Sequence, residues 1–312
     1  MKKISGMIFS TVLMAAMFAG CSSTSSKEAA APAKDATPAQ TETATKETAK
    51  PFEGEITVVS REEGSGTRGA FIELFGIEQK NEAGEKVDHT TEEANISNST
   101  SVVMTTVAGD ETAIGYISLG SLNDTVKAVK IDGAPASVEA IKDGSYKIAR
   151  PFNIATGKTV TEVAQDFINF ILSADGQKVV EGAGYIAASD AGAFEGGKVS
   201  GKIIVAGSSS VTPVMEKLKE AYVAVNPNVE IEIQQSDSTT GMNSAISGIC
   251  DIGMASRELK DSETGAGLTP TVIAIDGIAV VVNNNNPTEE LEADDVKAVF
   301  MGEKTQWSEL AK

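Results

Sequence analysis

The chain has 312 residues, 41% of them hydrophobic and 22% charged, with a formal net charge of −18. That length accommodates two compact domains beside an unstructured end. The acidity excludes a nucleic-acid partner, which requires a basic face, and means that any anion must be held by local donors rather than a general positive field. Aromatic residues are 5% and glycines number 29, a profile suited to an α/β protein with many short turns.

Residues 1–20 read as a signal peptide: Lys2 and Lys3 form the basic start and Met7 to Phe18 the apolar core. The core is too short for a transmembrane helix. Ala19-Gly20-Cys21 resembles the end of a bacterial lipoprotein signal, cleaved before a lipidated cysteine, although Phe18 stands where leucine is commoner. A plain secretory peptide is the alternative. Residues 21–52 read as a disordered tether, rich in Ala, Thr, Lys, Glu, Ser and Pro without apolar period. The two cysteines are Cys21 and Cys250. With a lipid on Cys21 no internal disulfide is possible, and Cys250 fits a core position.

The first folded segment opens with an alternating strand, Glu55 to Ser60, followed by Arg61-Glu62-Glu63-Gly64-Ser65-Gly66-Thr67-Arg68-Gly69. Apolar residues at helical spacing come next: Ala70, Phe71, Leu74 and Phe75. Strand, Gly-rich turn and helix start make an anion site, because a helix start offers unpaired N–H groups and a positive dipole end. Arg61 adds a planar two-pronged donor, and Gly64 and Gly66 allow close backbone approach. Alone, the stretch also fits an ordinary capped turn with a surface arginine.

Lys80 to Glu93 reads as a polar surface loop. It contains His89, the one histidine, which is badly placed for a Ser–His–Asp hydrolase. Asn95 to Thr106 reads as a turn leading into a helix. Strands are expected at 114–118, 126–131 and 151–156, and helices at 160–172 and 175–182. In the second segment, strand 202–206 runs into Gly207-Ser208-Ser209-Ser210 and a helix at 215–225. Strand 229–234 runs into Ser236 to Gly241 and a helix at 242–247. Asp251 to Glu258 repeats the pattern in short form. A long strand at 272–282, a helix at 291–300 and a short one at 307–310 complete the chain. Four hydroxyl-rich turns, each after a strand, describe a pocket for a small hydrophilic anion at the carboxyl ends of the strands. No CxxC pair, HExxH or P-loop lysine motif is present, so neither a metal, a nucleotide nor another cofactor is expected.

Ile203 to Pro213, Gln234 to Gly241, Asp251 to Leu259, Leu291 to Leu310 and Glu55 to Gly69 resemble the phosphate-binding protein of bacterial high-affinity phosphate ABC transporters. The resemblance covers nearly all of the chain after residue 52, but the order is rotated: the segment like 199–310 ordinarily precedes the segment like 53–186. It implies a two-lobed, type II periplasmic-binding-protein-like α/β fold, circularly permuted, joined through Ala187 to Ser200 and opened between Leu310 and Glu53. The split lobe would be 53–121 plus 279–312, and the continuous lobe 122–278. A fragment of a tandem gene is the alternative. The linker, about 14 residues, can span up to roughly 46 Å.

By the same resemblance, Arg61, Ser65, Gly66 and Thr67 hold the oxyanion from the split lobe. Ser209 and Ser210 match the first turn of the continuous lobe, Thr239 the third, with Thr240 beside it, and Glu63 is placed to orient the arginine. Ser256 stands where many members have an aspartate that accepts the ligand's proton and rejects sulfate. The resemblance implies a monomeric lipoprotein on the extracytoplasmic face of the cell membrane, delivering inorganic phosphate to permease subunits and catalysing nothing. Alternatives are another oxyanion, a non-transport receptor, or a hydrolase using Ser65 or Ser209.

Overall fold

A computed structural model describes residues 52–310; the expected export segment, Cys21 and the tether through residue 51 lie outside the described residues. In chain order come β1 (Thr57–Arg61), α1 (Gly66–Leu74), β2 (Glu78–Lys80), β3 (Lys86–Asp88), β4 (Asn95–Ser97), α2 (Thr100–Gly109) and β5 (Ala113–Ser118). Next are β6 (Lys127–Ala128), β7 (Lys130–Ile131), α3 (Val138–Lys142), β8 (Ala149–Thr156), α4 (Glu162–Leu172), α5 (Ala174–Gly182) and β9 (Ile186–Ala187). The remainder is β10 (Gly201–Ser208), α6 (Thr212–Val225), β11 (Val229–Ser236), α7 (Ser238–Ile246), β12 (Ile252–Ala255), α8 (Asp261–Gly265), β13 (Thr269–Val282), β14 (Glu290–Leu291) and α9 (Ala293–Phe300).

Helix starts follow local chemistry. Ser65, Ser99, Thr161, Ser173 and Asp237 each accept from the N–H of the third residue on, satisfying a donor that the helix leaves free. Pro213 occupies the first turn of α6, where its missing N–H costs nothing.

The main strands follow the path β11-β10-β12-β8-β13-β5-β1-β4. β10 pairs in parallel with β11 and β12, and β1 pairs in parallel with β4 and β5. The 14-residue β13 connects the halves: Thr269–Gly277 pair with β8, and Ile278–Val282 with β5, both antiparallel. Each half has its own apolar core. Phe152, Ile154, Phe167, Ile203, Val205, Met215, Tyr222 and Ile252 cluster in one. Ile56, Phe71, Ile114, Tyr116, Val280, Phe300 and Trp307 cluster in the other. This is the expected two-lobed α/β arrangement. Cys250 is buried, and desolvation pushes its thiol up to about 11, which suits a core residue.

Packing moves the lobe boundary from the expected residue 122 to about 148. After β5 the chain turns back on the same sheet: Ala128 pairs with Val281 in β13. Val129, Ile131, Tyr146 and Ile148 join the cluster of Ile114 and Val280, and the Tyr146 hydroxyl donates to Ile278 O at 2.7 Å. The crossings therefore lie at Ile148–Ala149 and Gly277–Ile278. Three local expectations also change. The start of the loop expected at 80–93 belongs to the β2–β3 hairpin over 78–88, turned at Gly84 with φ 79°. Asn95–Ser97 is strand β4; with three residues and Ile96 exposed, it leaves no readable alternation. The strand expected at 126–131 is broken into β6 and β7.

Candidate functional site

The site lies where the carboxyl ends of β1, β10, β11 and β12 meet. Arg61 ends β1 and is 2% exposed. Its Nε and Nη2 both donate to the Glu62 carboxylate at 2.7 Å. The same Nη2 donates to Ser209 Oγ at 3.1 Å, from the opposite lobe, and Nη1 reaches Thr100 Oγ1 at 3.5 Å. The Arg61 N–H donates to the Tyr116 hydroxyl at 3.1 Å. That hydroxyl also bonds Ser60, and desolvation pushes it up to about 12, so it stays neutral and holds the strand end in place.

Thr67, in the first turn of α1, has its hydroxyl 2.8 Å from Ser210 Oγ and 3.3 Å from Ser256 Oγ. Ser210 Oγ is also 3.1 Å from Thr100 Oγ1. The Ser208 hydroxyl donates to Ser256 at 3.0 Å, and the Ser256 N–H donates to Ser238 Oγ at 3.1 Å. The starts of α1, α2 and α7 thus converge with the Ser208–Ser210 turn on one buried hydroxyl cluster, with helix dipoles positive towards it. The lobes touch: the Thr239 N–H donates to Gly64 O at 3.1 Å. A Cβ on Gly64 would run into Asp237, and one on Gly66 into the Ser238 and Ser256 hydroxyls, so both positions require glycine for this approach.

The expected residues are therefore largely gathered, with three changes. Glu62, not Glu63, grips the arginine: the Glu62 N–H is fixed by Ser97 O at 3.1 Å, its carboxylate folds back on Arg61, and Glu63 is exposed on the turn. Thr239 accepts from Arg257 Nη2 at 3.3 Å, and its neighbour Ser238 occupies the cluster, because α7 starts with residue 238 facing inward. Ser65 uses its hydroxyl to cap α1, accepting from the Arg68 N–H at 3.2 Å. Arg257 is held by Glu263 at 2.7 Å and Glu258 is exposed, so neither enters the cluster.

Arg150 escaped the sequence reading. It is the second residue of β8, opposite Asp276 in β13, and its side chain is 3% exposed. Nη1 binds the Asp276 carboxylate and donates to Gly277 O at 2.7 Å; Nε donates to Ser256 O at 3.2 Å. Nη2 donates to Thr67 Oγ1 at 3.1 Å. A second buried arginine thus ties the strand crossing to both sides of the cluster. The signal available was a lone Arg before Pro151 in a strand whose other residues are mainly apolar.

Two α/β lobes on crossing strands, with polar donors converging between them, define a two-lobed ligand-binding protein of the periplasmic type. The model of the PBP superfamily domain matches residues 25–175 and 192–312. The phosphate-binding protein PstS 2 of Streptococcus agalactiae is 62% identical over 261 residues, 83% of this chain and 89% of the relative. A solved phosphate-binding protein of a phosphate ABC transporter from Streptococcus pneumoniae is 46% identical, with a TM-score of 0.65, covering 83% of this chain and all of that one. The Bacillus subtilis phosphate-binding protein PstS matches a shorter run, 29% identical over 115 residues and 36% of this chain. The chain belongs to the PBP superfamily and, within it, to the family of phosphate-binding proteins.

Proposed function

We propose that the chain is an extracytoplasmic lipoprotein that binds inorganic phosphate between its lobes and delivers it to the permease of an ABC transporter. The observation that carries this is the convergence of donors from both lobes: Arg61 on Ser209 at 3.1 Å and Thr67 beside Ser210 at 2.8 Å. Neither lobe alone offers enough donors to replace the water around a doubly charged anion. The names of the relatives above support phosphate as that anion. Arg61, Thr67, Ser209, Ser210 and Ser256 hold it, Gly66 admits it, Ser65 caps the helix that faces it, and Thr239 and Ser238 close the turn beside it. Glu62 orients Arg61. The chain acts as a monomer and is attached to the membrane by a lipid on Cys21.

Binding without turnover is favoured over hydrolysis by the state of the serines. A nucleophilic serine needs a base in hydrogen-bond reach. Ser65 is taken by the α1 N-terminus and Ser209 by Arg61, while His89 is exposed beyond β3.

The rotated order is supported by the chain ends of the described part. The Ile56 N–H donates to Thr305 O at 2.7 Å and the Trp307 N–H to Gly54 O at 3.0 Å, so the segment that begins the fold lies beside the one that ends it. A permutation opened there separates no buried contacts. The long match to the streptococcal relatives, against the short match to the Bacillus protein, is what a shared rotation would give. Calorimetric titration with phosphate, sulfate and arsenate tests ligand class. Phosphate uptake in a deletion strain, restored by the chain, separates transport from a receptor role.

A further inference from the structure

We propose that Arg150 and Asp276 form a clasp on the crossing strands that sets the rate of phosphate release, by holding Thr67 of one lobe against Ser256 of the other once the lobes have closed. This rests on the phosphate reading above and adds a pair of positioning residues that act on the ligand through others.

The pair stands where the lobes join. Arg150 lies opposite Asp276 in the β8–β13 ladder, just on the continuous-lobe side of both crossings. Their side chains are 3% and 1% exposed. Each makes one bond to the other lobe. Asp276 Oδ1 accepts from the Gly120 N–H at 3.1 Å, and Arg150 Nη2 donates to Thr67 Oγ1 at 3.1 Å. The first contact lies on the pivot. Gly120 comes just after β5, whose Ser118 pairs with Ile278, the first residue past the crossing. A Cβ on Gly120 would overlap the ring of Tyr185, from the other lobe. The second contact lies in the ligand turn, away from the pivot, where a hinge rotation moves atoms further.

The guanidinium has little freedom to swing. Nη1 binds the Asp276 carboxylate and donates to Gly277 O at 2.7 Å, and Nε donates to Ser256 O at 3.2 Å. Phe152, two residues further along β8, lies against it with the ring centroid 5.0 Å from Cζ. One planar group thus grips Ser256 in its own lobe and Thr67 in the other. The hydroxyls of those two residues stand 3.3 Å apart across the gap.

Opening the lobes withdraws Thr67 from Nη2, so that bond belongs to the closed state alone. An interaction formed only after closure does not speed capture; it slows release. Lysine at position 150 keeps a charge opposite Asp276 but cannot hold Ser256 O and Thr67 together.

The test is rapid-mixing measurement of the association and release of inorganic phosphate. Arg150→Lys should release phosphate roughly tenfold faster and associate within about twofold of wild type, the scale of one charge-assisted bond lost from the closed state. The double variant Arg150→Met/Asp276→Leu removes both charges and leaves neither unpaired, so the ligand-free chain should keep its unfolding temperature. It should show the same fast release, which a purely structural role for the pair would not produce. In a Thr67→Val background, Arg150→Lys should cost much less than in the wild-type chain, because the contact is already gone. Wild-type release in the double variant, or slowed association with unchanged release in either variant, overturns the clasp and leaves the phosphate reading standing. The full loss in the Thr67→Val background overturns action through Thr67. Failure of the wild-type chain to bind phosphate overturns both readings.

Discussion

Arg61 Nη2 donates to Ser209 Oγ at 3.1 Å across the lobes, although the two residues are 148 positions apart. Arg61 ends β1 and Ser209 directly follows β10, in different halves of the sheet, and each lies in a turn that leads into a helix start. The contact exists because the parallel strands of each half direct their carboxyl ends at the same gap.

Arg61→Lys is expected to weaken phosphate binding by about 1.5–3 kcal/mol, the scale of a charge-assisted bond. Lysine is a point charge and cannot grip Glu62 through two nitrogens while reaching Ser209. Titration calorimetry checks this; wild-type affinity in the variant would place Arg61 outside the pocket.

Glu62→Gln and Glu63→Gln separate two adjacent acids. Glu62 holds two nitrogens of Arg61 at 2.7 Å, and its loss should cost about 1 kcal/mol of phosphate affinity through a looser guanidinium. Glu63 is exposed, and its change should stay within about 0.5 kcal/mol. Equal effects would show that the acid positions Arg61 in neither case.

Gly66→Ala should hold the lobes apart. Its methyl would run into the Ser238 and Ser256 hydroxyls. A cost of about 1–3 kcal/mol is expected in binding, from overpacking of a closed interface. Stability without ligand should change less, since the lobes can open. An unaffected dissociation constant would mean that the lobes do not close at this turn.

Cys21→Ser should release the protein from the membrane fraction into the medium. The motive is the order of basic start, apolar core and Ala19-Gly20-Cys21. Lipid labelling that persists in the variant would remove Cys21 from the account.

Much of the fold is legible in the sequence because the parallel strands are continuous apolar runs ending in hydroxyl-rich turns. β10 is of this kind, and the antiparallel β13 is legible as one long apolar run. What stays hidden has a physical cause in each case. β4 is three residues long, below the length at which alternation can be recognised. Whether the chain crosses to the second lobe at 122 or 148 is decided by packing of Val129, Ile131 and Tyr146, which share the composition of either core. The hydroxyl turns mark the site, but not which of two neighbours faces inward. Ser238 rather than Thr239, and Glu62 rather than Glu63, are set by the first degrees of turn after a strand end. Arg150 is invisible because its partner Asp276 is supplied by a strand more than a hundred residues away.

The most direct measurement is a crystal structure of the chain grown with phosphate. One tetrahedral anion should stand within hydrogen-bond distance of Arg61 and Thr67 from one lobe and of Ser209 and Ser210 from the other, in a single chain. Phosphate held by one lobe alone, shared between two chains, or bound away from these four residues would contradict the two-lobed site.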